Sequence, residues 1–532
     1  MRSTVAYHPW TTQFPFAMVM RQFQLVSLLI GARVAAGSLS SAQVNAATAQ
    51  ALNIPIEACC LLLEAELGSK IAFPRSAAYN ASVQSYWSEQ DNAVDPACIV
   101  SPSATADVSA AVGTISQLSR FDLECPFAVR GGGHTPFAAS TIENGIVIDL
   151  SALSQVAVSE DQTITSVGPG ARWIDAYLKL DAMGLAISGG RVASVGVGGL
   201  TTGGGVSFFS PRVGFVCDNV ANFEVVLANG SVVNANSEQN SDLWYALKGG
   251  SNNFGVVTRF DFKTFTQGLL WGGSIVFPIE TLPEQLSAFV NFTSSENYDP
   301  HASLINSFGY EPAAGAMFVS NSIVYTAPVT NPPAFQQYTS ITPQLANTMR
   351  ISNLSDFALE LNEGTPYGFR QIFYTGTYAN DLGLLTQLAN QLNESMQVVN
   401  PLKSLVNYAM SLEPLPTAIT QWGPQTGGNA LGLDPSDGDI VLVLLGVTWS
   451  DEADDETIVN AVTDMFTTFD AYAASKHGLN SYTYLNYAYK TQKPIQGYGP
   501  SNVEKLQAVS NKYDPSGVFQ KLVPGGFKLF TS

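Results

Sequence analysis

Three consecutive glycines and a histidine, Arg130-Gly-Gly-Gly-His-Thr135, close an apolar run that starts at Pro126. The run reads as a buried strand. Glycine tolerates positive φ and puts no Cβ in the path of a second molecule. A histidine fixed at the end of such a turn can be aimed at that molecule. A longer glycine ribbon lies downstream, Ser188-Gly-Gly-Arg-Val-Ala-Ser-Val-Gly-Val-Gly-Gly-Leu-Thr-Thr-Gly-Gly-Gly205. Asp218 to Gly230 and Asp242 to Thr258, the latter carrying Gly255-Val-Val257, complete an ordered set of stretches. Adjacent backbone N–H groups in glycine turns form concave anion nests. The turn 130–135 and the ribbon 198–205 therefore suit a pyrophosphate. The only other histidines are His8, His301 and His477, so no histidine-rich metal site can be built and metal catalysis is not expected. Candidate site residues lie further on: Tyr484 and Tyr487 in Tyr484-Leu-Asn-Tyr487 could carry a proton, and Glu413 and Gln421 are weaker candidates. A tyrosine is a poor base unless nearby positive charge lowers its pKa. Glu413 by itself reads as a solvated carboxylate.

The elements that must position these residues follow in order. Ala42 to Leu67 has helical spacing and carries Cys59 and Cys60. Asp95 to Pro102 is extended. Val108, Ala111, Val112, Ile115 and Leu118 recur at helical intervals. Gly145 to Leu150 is a strand. Val156 to Ser159 and Thr163 to Val167 form a hairpin, and Gly168-Pro-Gly170 ends it. Ala171 to Met183 is a helix stopped by Gly184. Asn229-Gly230 marks a hairpin turn. Ser241 to Lys248 is a short helix capped by Ser241 or Asp242. Alternation from Val256 to Lys263 predicts a half-buried strand. The composition shifts near Thr266. Beyond it, Asp439 to Trp449 is an apolar strand and Glu452 to His477 a long helix. Ser501-Asn-Val-Glu504 predicts a capping box opening a last helix, which Asp514-Pro515 ends. Strands followed by helices argue for an α+β fold. No single Gly-x-Gly-x-x-Gly opens a βαβ unit, which disfavours a Rossmann site.

With 532 residues, one compact core is improbable and two domains are expected. Only 13% of residues are charged, the net charge is −19 and there is no basic stripe, which argues against nucleic-acid binding. Before Glu57 there is no acidic residue. Arg2 and Arg21 precede the apolar run Phe23 to Ala32, and small residues follow. That is a signal-peptide layout, with Met20 an alternative start. Its apolar core is too short for a membrane span. The expected location is therefore secreted or within the secretory pathway. The cysteines Cys59, Cys60, Cys98, Cys125 and Cys217 fit no zinc spacing. With secretion, Cys98 is expected to pair with Cys59 or Cys60. Cys125 and Cys217, beside apolar runs, are expected to be buried. Sequons begin at Asn80, Asn229, Asn291, Asn353 and Asn393.

In order and spacing, the glycine stretches resemble the FAD-binding domain of the vanillyl-alcohol-oxidase, or PCMH-type, superfamily. The nearest branch is the berberine-bridge-enzyme-like oxidases, especially fungal secreted ones. The resemblance runs from about Tyr79 to the C-terminus. It implies a two-part PCMH-type FAD-binding domain plus a substrate domain with a mainly antiparallel sheet flanked by helices. The expected limits are a leader at 1–36, the FAD domain at 37–266, the substrate domain at 267–480, and a segment at 481–532 that returns to the FAD domain. It implies an N-terminal disulfide. It places FAD on Arg130, Gly131, Gly132, Gly133, His134, Thr135, Gly170, Ser188, Gly190, Val195, Gly198, Gly199, Thr202, Gly203, Gly205, Gly255, Val257 and Asn486. In the family the histidine at the His134 position is bonded to the flavin 8α carbon. A second link in some relatives uses a cysteine where this chain has Val192, so a single link is expected. Leu200 stands where a histidine is common. Val195 should border the flavin, Asn486 the flavin ring edge, and Tyr484 or Tyr487 the substrate, with Glu413 a weaker catalytic candidate on a substrate-domain strand. Gly427-Gly-Asn-Ala-Leu-Gly432 is similar to the fungal form of the substrate domain.

The implied activity is an FAD-linked oxidase. Substrate C–H gives hydride to flavin N5, a tyrosine takes the proton, and O₂ reoxidises the flavin. A fungal secondary metabolite is the expected substrate. A carbohydrate oxidase, or a flavin-holding cyclase or dehydratase without net redox, are the alternatives. The expected partners are a small molecule and O₂, with no membrane span and no protein partner implied.

Overall fold

The computed structural model describes residues 56–530, apart from 122, 295 and 297. The expected leader, Met20 and residues 42–55 of the first expected helix lie outside the described residues. That helix is seen over Ile56–Leu67.

Three sheets carry the site. The first is four-stranded, in the order Ile71–Ala72, Cys98–Val100, Ile146–Asp149, Phe127–Arg130. The last three strands run parallel and are buried, as their unbroken apolar runs require. The helix Thr105–Ser119 packs on it through Val108, Ala111, Val112 and Ile115. The second sheet has six antiparallel strands around Val256–Thr266, which pairs with Ile164–Val167, Leu185–Ile187 and Val220–Val226. The third has nine antiparallel strands, its centre formed by Ala302–Glu311, Leu405–Leu415, Ile440–Trp449 and Arg370–Ala379. An α+β architecture results, with antiparallel pairing dominant.

Side chains on a strand alternate between its two faces. In the third sheet Leu304 and Phe308, Met410 and Leu412, and Val443 and Leu445 enter one core with Leu388 of the helix Leu382–Val399 and Phe466 of the helix Asp455–Ser475. The alternate residues, Ile305 and Ser307, Ser411 and Glu413, and Leu444, face the other way and line a cavity. Register thus decides which residues face the cavity.

Two local expectations are corrected. The last helix, Pro500–Tyr513, begins one residue before Ser501, with Pro500 at its first position and no side-chain cap. Proline is suited to that position because its missing N–H would be unpaired there anyway. The short helix Ser241–Leu247 is preceded by Asn240 at φ 49°, so neither Ser241 nor Asp242 caps it.

Cys60 bonds to Cys98 as expected, and Cys59 bonds to Cys125, which had been expected only to be buried. Cys217 is free and buried. The bridges close loops of 38 and 66 residues and tie the N-terminal helix to the parallel sheet. Replacing Cys60 and Cys98 together by serine should cost about 2–4 kcal/mol through lost restriction of the unfolded chain. Thermal unfolding of the variant beside the unmutated protein checks this, and an unchanged midpoint would contradict it.

Candidate active site

The strand Phe127–Arg130 delivers the glycine turn to the rim of a cavity of about 390 Å³. Gly132 and Gly196 touch backbone to backbone: a Cβ on Gly132 would lie 2.5 Å from the Gly196 Cα. Only glycine lets the two ribbons close on each other, and their joined edge forms one wall. The other wall is the cavity face of the nine-stranded sheet.

Twelve of the eighteen residues expected at the cofactor border this cavity: Gly131, Gly132, Gly133, His134, Thr135, Val195, Gly198, Gly199, Thr202, Gly255, Val257 and Asn486. Arg130, Gly170, Ser188, Gly190, Gly203 and Gly205 lie behind it. The Arg130 guanidinium turns away, 3.8 Å over the Tyr86 ring and 3.5 Å from Asp149, and donates to the Ser82 carbonyl and Ser85 Oγ. Gly190 and Gly205 pack on Trp173 and Val216, Gly170 lies against the Leu150 carbonyl, and Ser188 is fully buried. Gly203 makes room for the Asn486 side chain, where any Cβ would collide with Oδ1. Asn486 in turn donates to the Leu200 carbonyl at 2.9 Å and to Tyr484 Oη at 3.1 Å.

His134 borders the cavity, its ring parallel to that of Trp87 with centroids 4.3 Å apart. Ser194 Oγ is 3.5 Å from Nε2. Withdrawal from bulk water, reinforced by the charge of Arg172, pushes the imidazole pKa down to about 3. The ring is therefore neutral at physiological pH.

Tyr484, Tyr487 and Glu413 all reach the cavity. Glu413 is not solvated: it is 3% exposed and paired with Arg191, itself 6% exposed, at 2.7 Å. Arg191 Nη2 donates to both Glu413 oxygens and to Tyr487 Oη at 2.8 Å, and Tyr487 donates to Glu413 Oε1 at 2.9 Å. Burial, then the Glu413 charge, push the Tyr487 pKa well up, against the pull of Arg191. The positive charge that a basic tyrosine needs is present, yet it does not prevail. Burial likewise raises Tyr484, whose Oη accepts from the Val206 N–H at 2.9 Å. Gln421 is exposed and does not border the cavity. Gly427, Gly428 and Gly432 all have positive φ, and Ala430 and Leu431 between them are buried, so that stretch is a turn.

Arg191, Arg172 and Trp87 were not singled out from the sequence. Arg191 did leave a signal, as the sole charge in the ribbon from Ser188 to Gly205. Trp87 and Arg172 left none, since an aromatic residue and an arginine outside any motif read as packing and surface.

The cavity fits a dinucleotide. A Cβ on Gly199 would point into open space, so the wall is built bare along that stretch. Near the cavity residue Asn252, burial pushes the Lys528 pKa down to about 7, and its Nζ donates to Asn252 Oδ1 at 3.3 Å and the Phe519 carbonyl at 3.2 Å. A dinucleotide held between paired glycine ribbons and an antiparallel sheet is the plan of the PCMH-type FAD enzymes.

Comparison with known proteins agrees. Residues 96–236 match the family described as FAD binding domain, and residues 483–521 match berberine and berberine like. The FAD-dependent monooxygenase sdcF of Emericella nidulans is 38% identical over 478 residues, covering 89% of this chain and 98% of its own. The wild-type BBE-like 1 protein of Physcomitrella patens superposes with a TM-score of 0.72 at 21% identity, covering 90% of this chain and all of that one. The glucooligosaccharide oxidase of Acremonium strictum, with its 6-S-cysteinyl, 8α-N1-histidyl FAD, superposes with a TM-score of 0.68 at 18% identity, covering 90% of this chain and 100% of that one. The chain belongs to the berberine-bridge-enzyme-like family and is an FAD-linked oxidoreductase. Among the described residues, no helix is long and apolar enough to cross a membrane.

Proposed function

We propose that this enzyme is an oxidase that takes hydride from a C–H bond of a largely apolar secondary metabolite and passes the electrons to O₂. The observation that carries this reading is the buried Arg191–Glu413 pair joined to the half-buried Tyr487 at the junction of the glycine ribbon and the substrate-side sheet. FAD supplies the two-electron acceptor. The chain supplies the proton path. Tyr487 Oη takes the proton of a substrate hydroxyl while its own passes to Glu413, which Arg191 holds in place by donating to both of its oxygens. Tyr484, fixed by the Val206 N–H and Asn486, shapes the pocket beside it. Phe373, Leu361 and Leu444 exclude water, which strengthens these charge interactions.

The lining favours an apolar substrate over a carbohydrate. Among the described residues its charged side chains, Arg191 and Glu413, are paired with each other. Ser307 and Ser411, the hydroxyls on the sheet wall, are 2.7 Å apart and hydrogen-bonded to each other, which leaves one O–H between them to donate elsewhere. A sugar would find few unpaired groups to replace its water.

In the same reading His134 tethers the flavin through its 8α carbon, and it does so alone. Val192 borders the cavity where relatives with two links have cysteine, and an isopropyl group forms no such bond. The A. strictum oxidase, whose FAD is described as bound to both histidine and cysteine, shows what this chain would share and what it would lack. Secretion fits the two disulfides and the exposure of the asparagine in all five sequons.

The test is anaerobic. Purified protein should be yellow, bleach on mixing with its substrate, and recover colour with release of H₂O₂ when air is admitted. A panel of aromatic and alicyclic metabolites, with oligosaccharides beside them, finds the substrate. Product formation without bleaching would instead show a cyclase or dehydratase using only the Tyr487–Glu413 pair. Protein recovered from the secretory pathway should lose mass on enzymatic removal of N-glycans, and an unchanged mass would count against that location.

A further inference from the structure

We propose that Trp87 is the positioning residue for covalent attachment of the flavin, holding the His134 ring in the plane from which it reacts. The inference rests on the tethering role of His134 proposed above.

Attachment joins an imidazole nitrogen to the 8α carbon. The imidazole N–H proton and one proton of the 8α methyl group leave, two electrons pass into the flavin ring, and O₂ removes them as H₂O₂. The nucleophile is an in-plane lone pair, so the angle of the ring governs the reaction. A strong hydrogen bond could fix that angle, but it would occupy the lone pair or leave the ring free to tilt about it. The ring's hydrogen-bond partner, Ser194 Oγ at 3.5 Å, is at the outer limit of such contacts. What defines the plane is the indole, 10° from parallel and with ring centroids 4.3 Å apart. Stacking holds a ring by its face and leaves its edge nitrogens unspent.

Trp87 is itself held from both sides. Its backbone N–H donates to the Gly133 carbonyl at 3.0 Å, which ties it to the histidine turn. Its Nε1 donates to the Thr365 carbonyl at 3.3 Å. The segment from Thr365 to Tyr367 brings the Tyr367 ring edge-on to His134, with centroids 6.4 Å apart and planes 89° apart. The Tyr367 hydroxyl accepts from Arg172 at 3.0 Å. The imidazole is thus bracketed by a face from one part of the chain and an edge from another. Trp87 has no reacting atom and acts only through His134.

The experiment compares the unmutated protein with Trp87→Phe, Trp87→Leu and His134→Ala. Total bound flavin is read by absorbance. Covalent flavin is read as fluorescence kept by the chain after acid precipitation and denaturing electrophoresis. In the unmutated protein nearly all flavin should resist acid, and in His134→Ala none. Trp87→Leu should bind flavin at near-normal stoichiometry, with the acid-resistant fraction at least halved and its appearance slowed at least tenfold. Trp87→Phe should restore most of that fraction, a rescue that a purely structural loss would not show. An equal acid-resistant fraction and rate in Trp87→Leu and the unmutated protein would overturn the proposal and leave the tether standing. Release of all flavin from the unmutated protein would overturn both. If Trp87→Leu does not accumulate folded, Trp87→Phe and Trp87→Met carry the comparison: attachment kept by Phe and lost by Met supports the role, and equal attachment in both refutes it.

Discussion

Tyr487→Phe should reduce its flavin anaerobically about 10²- to 10⁴-fold more slowly than the unmutated enzyme, the usual range for loss of a positioned acid–base group. The variant is chosen over its partner because it spares the ion pair. Arg191 and Glu413 stay 2.7 Å apart, so folding should be nearly untouched. Glu413→Gln should slow reduction as much, but for two mixed reasons. It removes the acceptor for the Tyr487 proton, and it leaves the Arg191 cation buried without a counter-charge, a loss of about 3–5 kcal/mol of stability. The Tyr487 pKa lies well above its ordinary value, raised by burial and the Glu413 charge, so the phenol is not a resident phenolate. It works as a base only if its proton can leave as the substrate's arrives, and the 2.9 Å bond to Glu413 is the exit. Tyr484→Phe is the contrast. It loses only the bonds from the Val206 N–H and Asn486, and should slow reduction by less than about tenfold, in line with a loss of about 1 kcal/mol. Stopped-flow bleaching of the three variants separates these cases. A Tyr487→Phe enzyme reduced as fast as the unmutated one would remove the relay from the mechanism.

How much of this was legible beforehand depended on distance along the chain. The glycine turn and His134 are contiguous, so residue type and order carried their chemistry. Period-two alternation announced the strand Val256–Thr266, and helical spacing the helix Asp455–Ser475, because one buried face imposes a period on sequence. The ion pair was hidden for the opposite reason. Arg191 and Glu413 are 222 residues apart and meet only because the glycine ribbon docks on the nine-stranded sheet. No local pattern records that docking, and Glu413, taken alone, was expected to be solvated. Arg130 misled in a different way. The resemblance placed Arg130 at the cofactor, and Tyr86, Asp149 and the Ser82 carbonyl turn its side chain inward, so that it braces the turn from behind. Cys125 was set aside as merely buried because its partner Cys59 is 66 residues away, and the neighbouring Cys60 leads elsewhere.

With the tether proposed for His134, His134→Ala should leave the cofactor as a ligand that obeys mass action. A ligand that binds only the folded state stabilises it by RT ln(1 + [L]/Kd), about 2.7 kcal/mol at a hundredfold excess over Kd. The melting midpoint of His134→Ala should therefore climb with added FAD, whereas that of the unmutated protein, its site permanently filled, should not move. Attachment should also have an unusual pH dependence. A free imidazole loses nucleophilicity as pH falls through about 6.5, because the protonated ring has no lone pair to offer. Here burial first, and Arg172 second, bring that transition down to about 3, so the reactive neutral form persists across the whole range from pH 7.5 to 5. The rate at which acid-resistant flavin appears should be flat over that range, measured in protein expressed without riboflavin and then supplied with FAD. Removing the positive charge with Arg172→Met should move the transition upward, but by less than the full distance to 6.5, because desolvation is the larger cause and remains. A rate that halves near pH 6.5 in the unmutated chain would mean that water reaches the imidazole freely, and the enclosed, neutral nucleophile inferred from the packing of Trp87 and Ser194 would have to be abandoned.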